Sequence, residues 1–344
     1  MITRLRERFP LLFQDPHLSA WLTIQAQLGL APATLDAYAR DVMDYVAFCQ
    51  AHSVGLLVAK REHIAAYVHD LASRPLGKGP VPSRFGYANA TMHRRIVTVR
   101  LFYDHLKDDA IRKDNPVKHG VHTAAKGFGG ARRGLLPHFK KLPWIPTETE
   151  WQALIISALD EPLRNRLMLA MSYDAGLRRG ELCSLRTNDI DPAYRLITLR
   201  ADVTKGGRAR VVPYSDATSQ LYAAYLQQRR QMTMVERQSL LFLSESRRNK
   251  NKPITYWSWS KIMLRMARRA GLPQFTPHTL RHLCLTDLAR AGWGLHEIAT
   301  FAGHQSLDTT LLYIHLSGRE LSDKMTKGME SIHAWRVQTI KTIL

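Results

Sequence analysis

Six side chains define the chemistry open to this chain. Tyr313 carries a nucleophilic hydroxyl near the C-terminal end. Arg178 stands in Ala175-Gly176-Leu177-Arg178-Arg179-Gly180-Glu181-Leu182 and Lys205 in Thr204-Lys205-Gly206-Gly207. His278 and Arg281 stand in Pro277-His278-Thr279-Leu280-Arg281-His282, and His304 in Ala302-Gly303-His304, nine positions before Tyr313. A phenol, two arginines, a lysine and two histidines suffice to break a phosphodiester without a metal. Each guanidinium can hold non-bridging phosphate oxygens with a planar fork of donors. Charge building on a five-coordinate phosphorus then meets donors already in place. The phenol, with a reference pKa near ~10, needs a nearby base or local positive charge to attack at neutral pH.

The elements that must position these groups are readable in outline. His278 and Arg281 are three apart, so on a helix they share a face and can meet one phosphate. Arg178 follows Gly176-Leu177, a turn-like helix start, and Glu181 lies one turn on, placed to orient the guanidinium from behind. Lys205 sits among the short β-type runs Leu196-Ile197-Thr198-Leu199, Asp202-Val203-Thr204 and Arg210-Val211-Val212, which predict a small sheet with the lysine at a hairpin tip. From Thr147 the pattern is helical, with Trp151, Leu154 and Ile155 inward, then a second helix over Leu163–Tyr173. The chain after Ala217 reads mostly as helix.

Upstream, Thr34–Cys49 reads as an amphipathic helix, with Leu35, Tyr38, Val42, Tyr45, Val46 and Cys49 inward and Pro32 and Thr34 as start signals. Glu62–Leu71 is a second helix. A loop rich in Pro and Gly follows, from Pro75 to Gly86. Thr91 then caps a third helix, with Met92, Ile96, Val99, Tyr103 and Leu106 on one face and Arg94, Arg95 and Arg100 as its exposed, nucleic-acid-facing candidates. Between Val117 and Lys141 there is no acidic residue, but Lys118, Lys126, Arg132, Arg133, Lys140 and Lys141 are present, and four glycines loosen the stretch. It reads as a basic linker laid against phosphates, with Lys126, Arg132 and Arg133 as contacts. The expected division is a helical domain over 1–116, a linker over 117–146 and a catalytic domain with a C-terminal tail over 147–344.

The chain has 344 residues and a net charge of +20, from 49 Lys+Arg against 29 Asp+Glu. Self-repulsion of that size points to a polyanionic partner. Three scattered cysteines, Cys49, Cys183 and Cys284, fit buried, reduced thiols and a cytoplasmic protein, and no zinc spacing occurs. No apolar run approaches a membrane span. No cofactor or metal is expected, and no repeat is visible.

In order and local context these residues resemble the tyrosine recombinase family, which includes phage integrases and Xer recombinases. Its members carry Gly-Leu-Arg-x-x-Glu-Leu, a lysine on a β-hairpin, His-x-x-Arg, a Gly-His and a tyrosine nine residues later. All are present from about Thr147 to Ser317, with a weaker likeness before. Gly180 stands where many members have serine, and Ala302 where leucine is common. The resemblance implies a mainly α fold with a small β-sheet, closing as a two-domain clamp on double-stranded DNA at specific core sites. It implies attack by Tyr313 to give a 3′-phosphotyrosyl link and a free 5′-hydroxyl, with Arg178 and Arg281 as phosphate clamp. His278 would exchange a proton near Tyr313, His304 would donate to a phosphate oxygen, and Lys205 would be the general acid. Arg179 and His282 are read as structural. Four protomers would exchange strands through a Holliday junction in integration, excision, transposition or dimer resolution, on the nucleoid in the cytoplasm. Free protein would be a monomer or weak oligomer.

The stripe Leu316, Leu321, Met325, Met329 and Ile332 marks a tail that packs on its own protomer or on a neighbour. Little precedes the first bundle, which favours action at core sites alone. Two other readings share the sequence: a type IB topoisomerase, which relaxes DNA by the same chemistry, and a catalytically silent DNA-binding regulator. The intact set of six residues argues against the second.

Overall fold

A computed structural model describes residues 1–77, 84–117, 142–231 and 239–316. The chain folds as two compact units, Met1–Lys140 and Lys141–Leu344.

The first unit is helical: α1 (Ile2–Arg8), α2 (Pro16–Gln27), α3 (Pro32–Ala51), α4 (Arg61–Ser73) and α5 (Asn89–Asp108). Asp15 caps α2, accepting from the amides of His17 and Leu18 at 3.0 and 2.9 Å. Pro16 and Pro32 occupy first-turn positions, where a missing N–H costs nothing. Leu22, Leu35, Val42, Ile64, Val99 and Leu106 are buried together with Trp21, Tyr45, Tyr67 and Phe102. The buried phenols of Tyr45 and Tyr103 satisfy each other at 2.9 Å. Helices α1 and α2 lie outside the sequence expectation: α1 has only Ile2 and Leu5 as apolar residues, and in α2 Leu18, Ala20, Trp21, Leu22, Ile24 and Ala26 spread around the axis instead of forming one stripe. Helix α5 starts at Asn89, with Ala88 rather than Thr91 at its cap. The Pro/Gly loop holds a short antiparallel pair, β1 (Pro75–Leu76) with β2 (Arg84–Phe85).

The expected basic flank of α5 is corrected at Arg95. Arg95 is only 9% exposed, lies 2.5 Å from Asp44 and stacks over the Tyr87 ring at 4.1 Å. Arg94 reaches buried Asp41 at 2.9 Å but keeps much of its side chain in solvent. Arg100 is half-buried and donates to the Val117 carbonyl at 3.1 Å. The cause is on α3: Asp41 and Asp44 face inward, and buried carboxylates require counter-charges. Lys126, Arg132 and Arg133 lie outside the described residues, as does the tail beyond Leu316.

The second unit contains α6 (Glu148–Ala158), α7 (Leu163–Asp174), α8 (Arg179–Cys183), β3 (Ile190–Asp191), β4 (Leu196–Leu199), β5 (Arg210–Pro213), α9 (Asp216–Arg230), α10 (Tyr256–Arg269), α11 (Pro277–Arg290), α12 (Leu295–Ala302) and α13 (Leu307–Leu316). Thr147 and Glu150 form a reciprocal capping box, with the Thr147 amide donating to the Glu150 carboxylate at 2.7 Å. Strands β3, β4 and β5 form an antiparallel sheet in that order, with Ile197 opposite Val212. Leu167, Met171, Ile197, Val212, Trp259 and Leu285 belong to its core. Leu154 is buried, but Ile155 is 41% exposed, because one step along a helix turns a side chain away from its neighbour's face. Asp202-Val203-Thr204 is not a strand: Ala201–Val203 forms a 3₁₀ turn leading into the Lys205 loop. All three cysteines are buried and free.

Candidate active site

Helix α11 carries the centre of the site. Thr276 caps it, accepting from the Thr279 amide at 3.3 Å, and Pro277 fills its first turn. One turn in, Arg281 is 1% exposed. It donates to the carbonyls of Gly176 and Ala302, at 2.6 and 2.5 Å, and lies 3.1 Å from His304 Nε2. Among the described residues no carboxylate pairs with it. Burial, then the nearby Arg178 charge, pushes its pKa down to about 10. A buried cation held by neutral acceptors is an anion site with its donors already aimed.

A second arginine stands beside it, fixed from behind. Arg178 precedes α8, and its Nη1 lies 2.8 Å from Glu181 Oε1. Glu181, 1% exposed, also accepts from the Arg178 amide at 2.9 Å and from both terminal nitrogens of Arg210 at 3.0 and 2.8 Å. Burial alone would raise the Glu181 pKa; hydrogen bonds and charge from Arg210 and Arg178 outweigh it and hold the carboxyl below its usual range. Arg210 escaped the sequence reading. Its signal was the period-two pattern of β5, which puts Arg210 on the same face as buried Val212.

Tyr313, on α13, is 2% exposed. Burial raises its pKa, while Arg281 and Arg178 pull the other way. Its ring stacks nearly parallel on His304, with centroids 5.9 Å apart and planes 9° apart. Its hydroxyl lies 3.0 Å from Nδ1 of His282, the histidine that the sequence reading had treated as structural. The spacing puts His282 one helical turn past His278, on the same face, but does not say which distant side chain meets it. His278 meets the His282 ring edge-to-face at 4.4 Å, and among the described residues no hydrogen bond joins it to Tyr313.

The histidine charge states follow from their neighbours. His304 Nε2 faces an arginine donor, so it accepts, and Nδ1 carries the proton toward Thr310 Oγ1 at 2.8 Å. Burial, then Arg281 and Arg178, lowers its pKa to about 3. Burial, then His278 and Arg281, lowers that of His282 to about 4. The protein packed around the His278 ring, then Arg281, Arg178, Arg179 and Lys205, shifts it downward too.

Lys205 is exposed in the β4–β5 connection, beside a turn that Gly207 makes with φ +64°. Thr204 Oγ1 accepts from the Arg208 amide at 3.0 Å, and Gln305 donates to the Gly206 carbonyl at 3.3 Å, tying this loop to the His304 segment. Thr204, Gly206, Arg210, Gly303 and His304 line a cleft of about 350 Å³ there. The structure thus gathers Arg178, Arg281, His278, His304 and Tyr313 with Glu181, and leaves Lys205 at the rim. Among the described residues no group of three or more His, Cys, Asp or Glu side chains could hold a metal ion, and no helix is long and apolar enough to cross a membrane.

A tyrosine set among arginines and histidines on this mainly helical scaffold defines a strand-transfer enzyme of the tyrosine type. Residues 147–320 match the phage integrase family, and residues 19–109 match the phage integrase N-terminal SAM-like domain. The chain belongs to the phage integrase family: it is a tyrosine recombinase, an enzyme that cuts and rejoins DNA in site-specific recombination. It is 27% identical over 307 residues to tyrosine recombinase XerD of Oceanobacillus iheyensis, covering 87% of this chain and 93% of that protein. It is 29% identical over 312 residues to XerD of Caulobacter vibrioides, covering 88% and 92%. The fold matches the Tn1549 transposon integrase solved with a circular intermediate DNA (TM-score 0.64, 16% identity, 85% of this chain and 93% of that one). It also matches the XerH site-specific recombinase bound to palindromic difH substrate in a post-cleavage complex (TM-score 0.61, 19% identity, 86% and 79%).

Proposed function

We propose that this chain recombines double-stranded DNA at specific core sites, with Tyr313 attacking the scissile phosphate to form a 3′-phosphotyrosyl link. The observation that carries this reading is the buried Arg281 guanidinium, held by neutral acceptors beside a buried phenol. A phosphodiester oxygen completes what the site lacks. Arg178 supplies the second fork, braced by Glu181. When Arg281 engages DNA it releases Nε2 of His304, which then carries a proton and donates it in a hydrogen bond to a phosphate oxygen. Lys205 protonates the leaving 5′-oxygen from the rim of the cleft, where an exposed ammonium on a glycine turn can reach the duplex. The link stores the bond energy, so neither ATP nor a metal is needed. The helical unit and the catalytic unit both bind the duplex, and the excess of positive charge serves its phosphates. Four protomers assemble on two DNA segments, on the nucleoid in the cytoplasm.

The test uses a library of nicked suicide duplexes with randomised cores. Wild-type protein is expected to retain a subset in a denaturation-resistant adduct, and sequencing that subset gives the core site. Tyr313→Phe is expected to bind the recovered sequence and form no adduct. No adduct from the wild type, or an undiminished one from Tyr313→Phe, overturns the reading.

A further inference from the structure

We propose that His282 is the base that takes the proton of Tyr313 when the phenol oxygen attacks phosphorus, a role that rests on the recombinase chemistry set out above. The hydroxyl and Nδ1 are 3.0 Å apart, within direct proton-transfer reach. Both residues sit on helices of the folded core, and the backbone carbonyl of His282 accepts from Thr286 Oγ1 at 2.8 Å. Base, clamp arginine and His278 therefore share one helix, α11, with the nucleophile's hydroxyl against it.

The other two imidazoles are engaged otherwise. The His304 ring lies parallel to the phenol, its Nε2 facing Arg281 and its Nδ1 facing Thr310. His278 touches the edge of the His282 ring, one step removed from the hydroxyl. The proposal moves to His282 the proton exchange that the sequence analysis expected of His278.

In the free protein His282 is neutral, with its Nδ1 lone pair toward Tyr313 and the phenol as donor. Burial, His278 and Arg281 make it a weak base, and burial keeps the proton on the phenol. A phosphodiester seated on Arg281 and Arg178 brings a negative charge next to the cations that weaken His282. The base therefore strengthens when substrate is in place, and the nucleophile is activated only there. In the step, the Oη–H bond breaks and its proton passes to Nδ1. The Oη–P bond forms and the P–O5′ bond breaks, and the leaving oxygen takes its proton from Lys205. In rejoining, protonated His282 returns its proton to the phenol as the 5′-oxygen displaces it.

The experiment measures single-turnover adduct formation on the recovered suicide duplex for wild type, His282→Ala, His282→Asn, His278→Ala and Tyr313→Phe. An asparagine amide oxygen can accept the phenol hydrogen bond at the Nδ1 position but cannot take the proton. Both His282 variants are expected to shift DNA in gels as wild type does and to form adduct slower by ~10²-fold or more. Their rates should climb with pH as hydroxide replaces the base. Added imidazole should restore part of the His282→Ala rate and none of the His282→Asn rate. A His282→Asn variant as fast as wild type would reduce His282 to a hydrogen-bonding prop and overturn the proposal. So would imidazole rescue confined to His278→Ala. If His282→Ala fails to melt cooperatively, His282→Asn carries the test. A wild type that forms no adduct indicts the recombinase reading instead, and the Tyr313→Phe control separates the two failures.

Discussion

At the scale of single residues, the site is organised around cations that are costly to bury. Arg281 spends its donors on two backbone carbonyls and an imidazole, which hold it in place without neutralising it. Its contribution lies in the transition state, so Arg281→Ala is expected to keep DNA binding and lose adduct formation by ~10²–10³-fold. Gel shift and single-turnover cleavage on the same duplex check this; near-normal cleavage would remove Arg281 from the clamp. Glu181 is the opposite case, a buried carboxylate whose worth is structural. Its pKa is held down by Arg210 and Arg178, so its stabilisation is complete above the ordinary glutamate pKa near ~4.3. It is lost as pH falls through the lower folded value. Glu181→Gln leaves two arginines without their anion. It should lower unfolding free energy at pH 7 by ~3–5 kcal/mol in urea titrations. The gap to wild type should close below about pH 4. A gap that persists or widens in acid would mean the carboxylate is not the stabilising group.

At the scale of elements, the junction between α12 and α13 decides where the reactive groups lie. Helix α12 ends at Gly303 in the left-handed region, φ +63°, and the chain then turns so that His304 points back into the site. A Cβ at Gly303 would meet the Arg210 side chain at 3.1 Å, and Arg210 is what holds Glu181 from its far side. Gly303→Ala therefore combines backbone strain with a push on Arg210. It is expected to destabilise the protein by ~1–3 kcal/mol and to slow cleavage more than the stability loss explains. Differential melting and single-turnover rates measured below the transition test this; an unchanged rate would show that Arg210 can yield without disturbing Arg178.

At the scale of the whole molecule, a net charge of +20 serves binding to a polyanion but does not say which cations touch it. Binding to DNA is expected to weaken with a linear log–log dependence on salt; a protein making 6–10 phosphate contacts loses ~10³–10⁵-fold between 50 and 200 mM. Arg95 should not contribute to that slope, since it is committed to Asp44 and Tyr87. Arg95→Ala is expected to lower the stability of the helical unit by ~3 kcal/mol with the salt slope intact. A slope reduced by about one would return Arg95 to the DNA-contacting set.

What the sequence determined alone was whatever is local or periodic. The helices α3, α4, α5 and α7, the start of α6 near Thr147 and the strands β4 and β5 follow from three- and four-residue spacing and from alternation, which act within a few residues. The motif spacing likewise singled out Arg178, Arg281, His278, His304 and Tyr313, and three-residue spacing alone put His278 and Arg281 on one helix. Burial and pairing between distant segments were not legible. Arg95 looked like a surface cation because only folding brings it to Asp44, 51 positions away on α3. Arg210 looked like a strand residue because only folding places Glu181 under it. His282 looked structural because nothing in its own helix reveals that Tyr313, 31 positions on, will dock its hydroxyl there. Local sequence determines which face of an element a residue occupies; what stands opposite that face is settled when the elements pack.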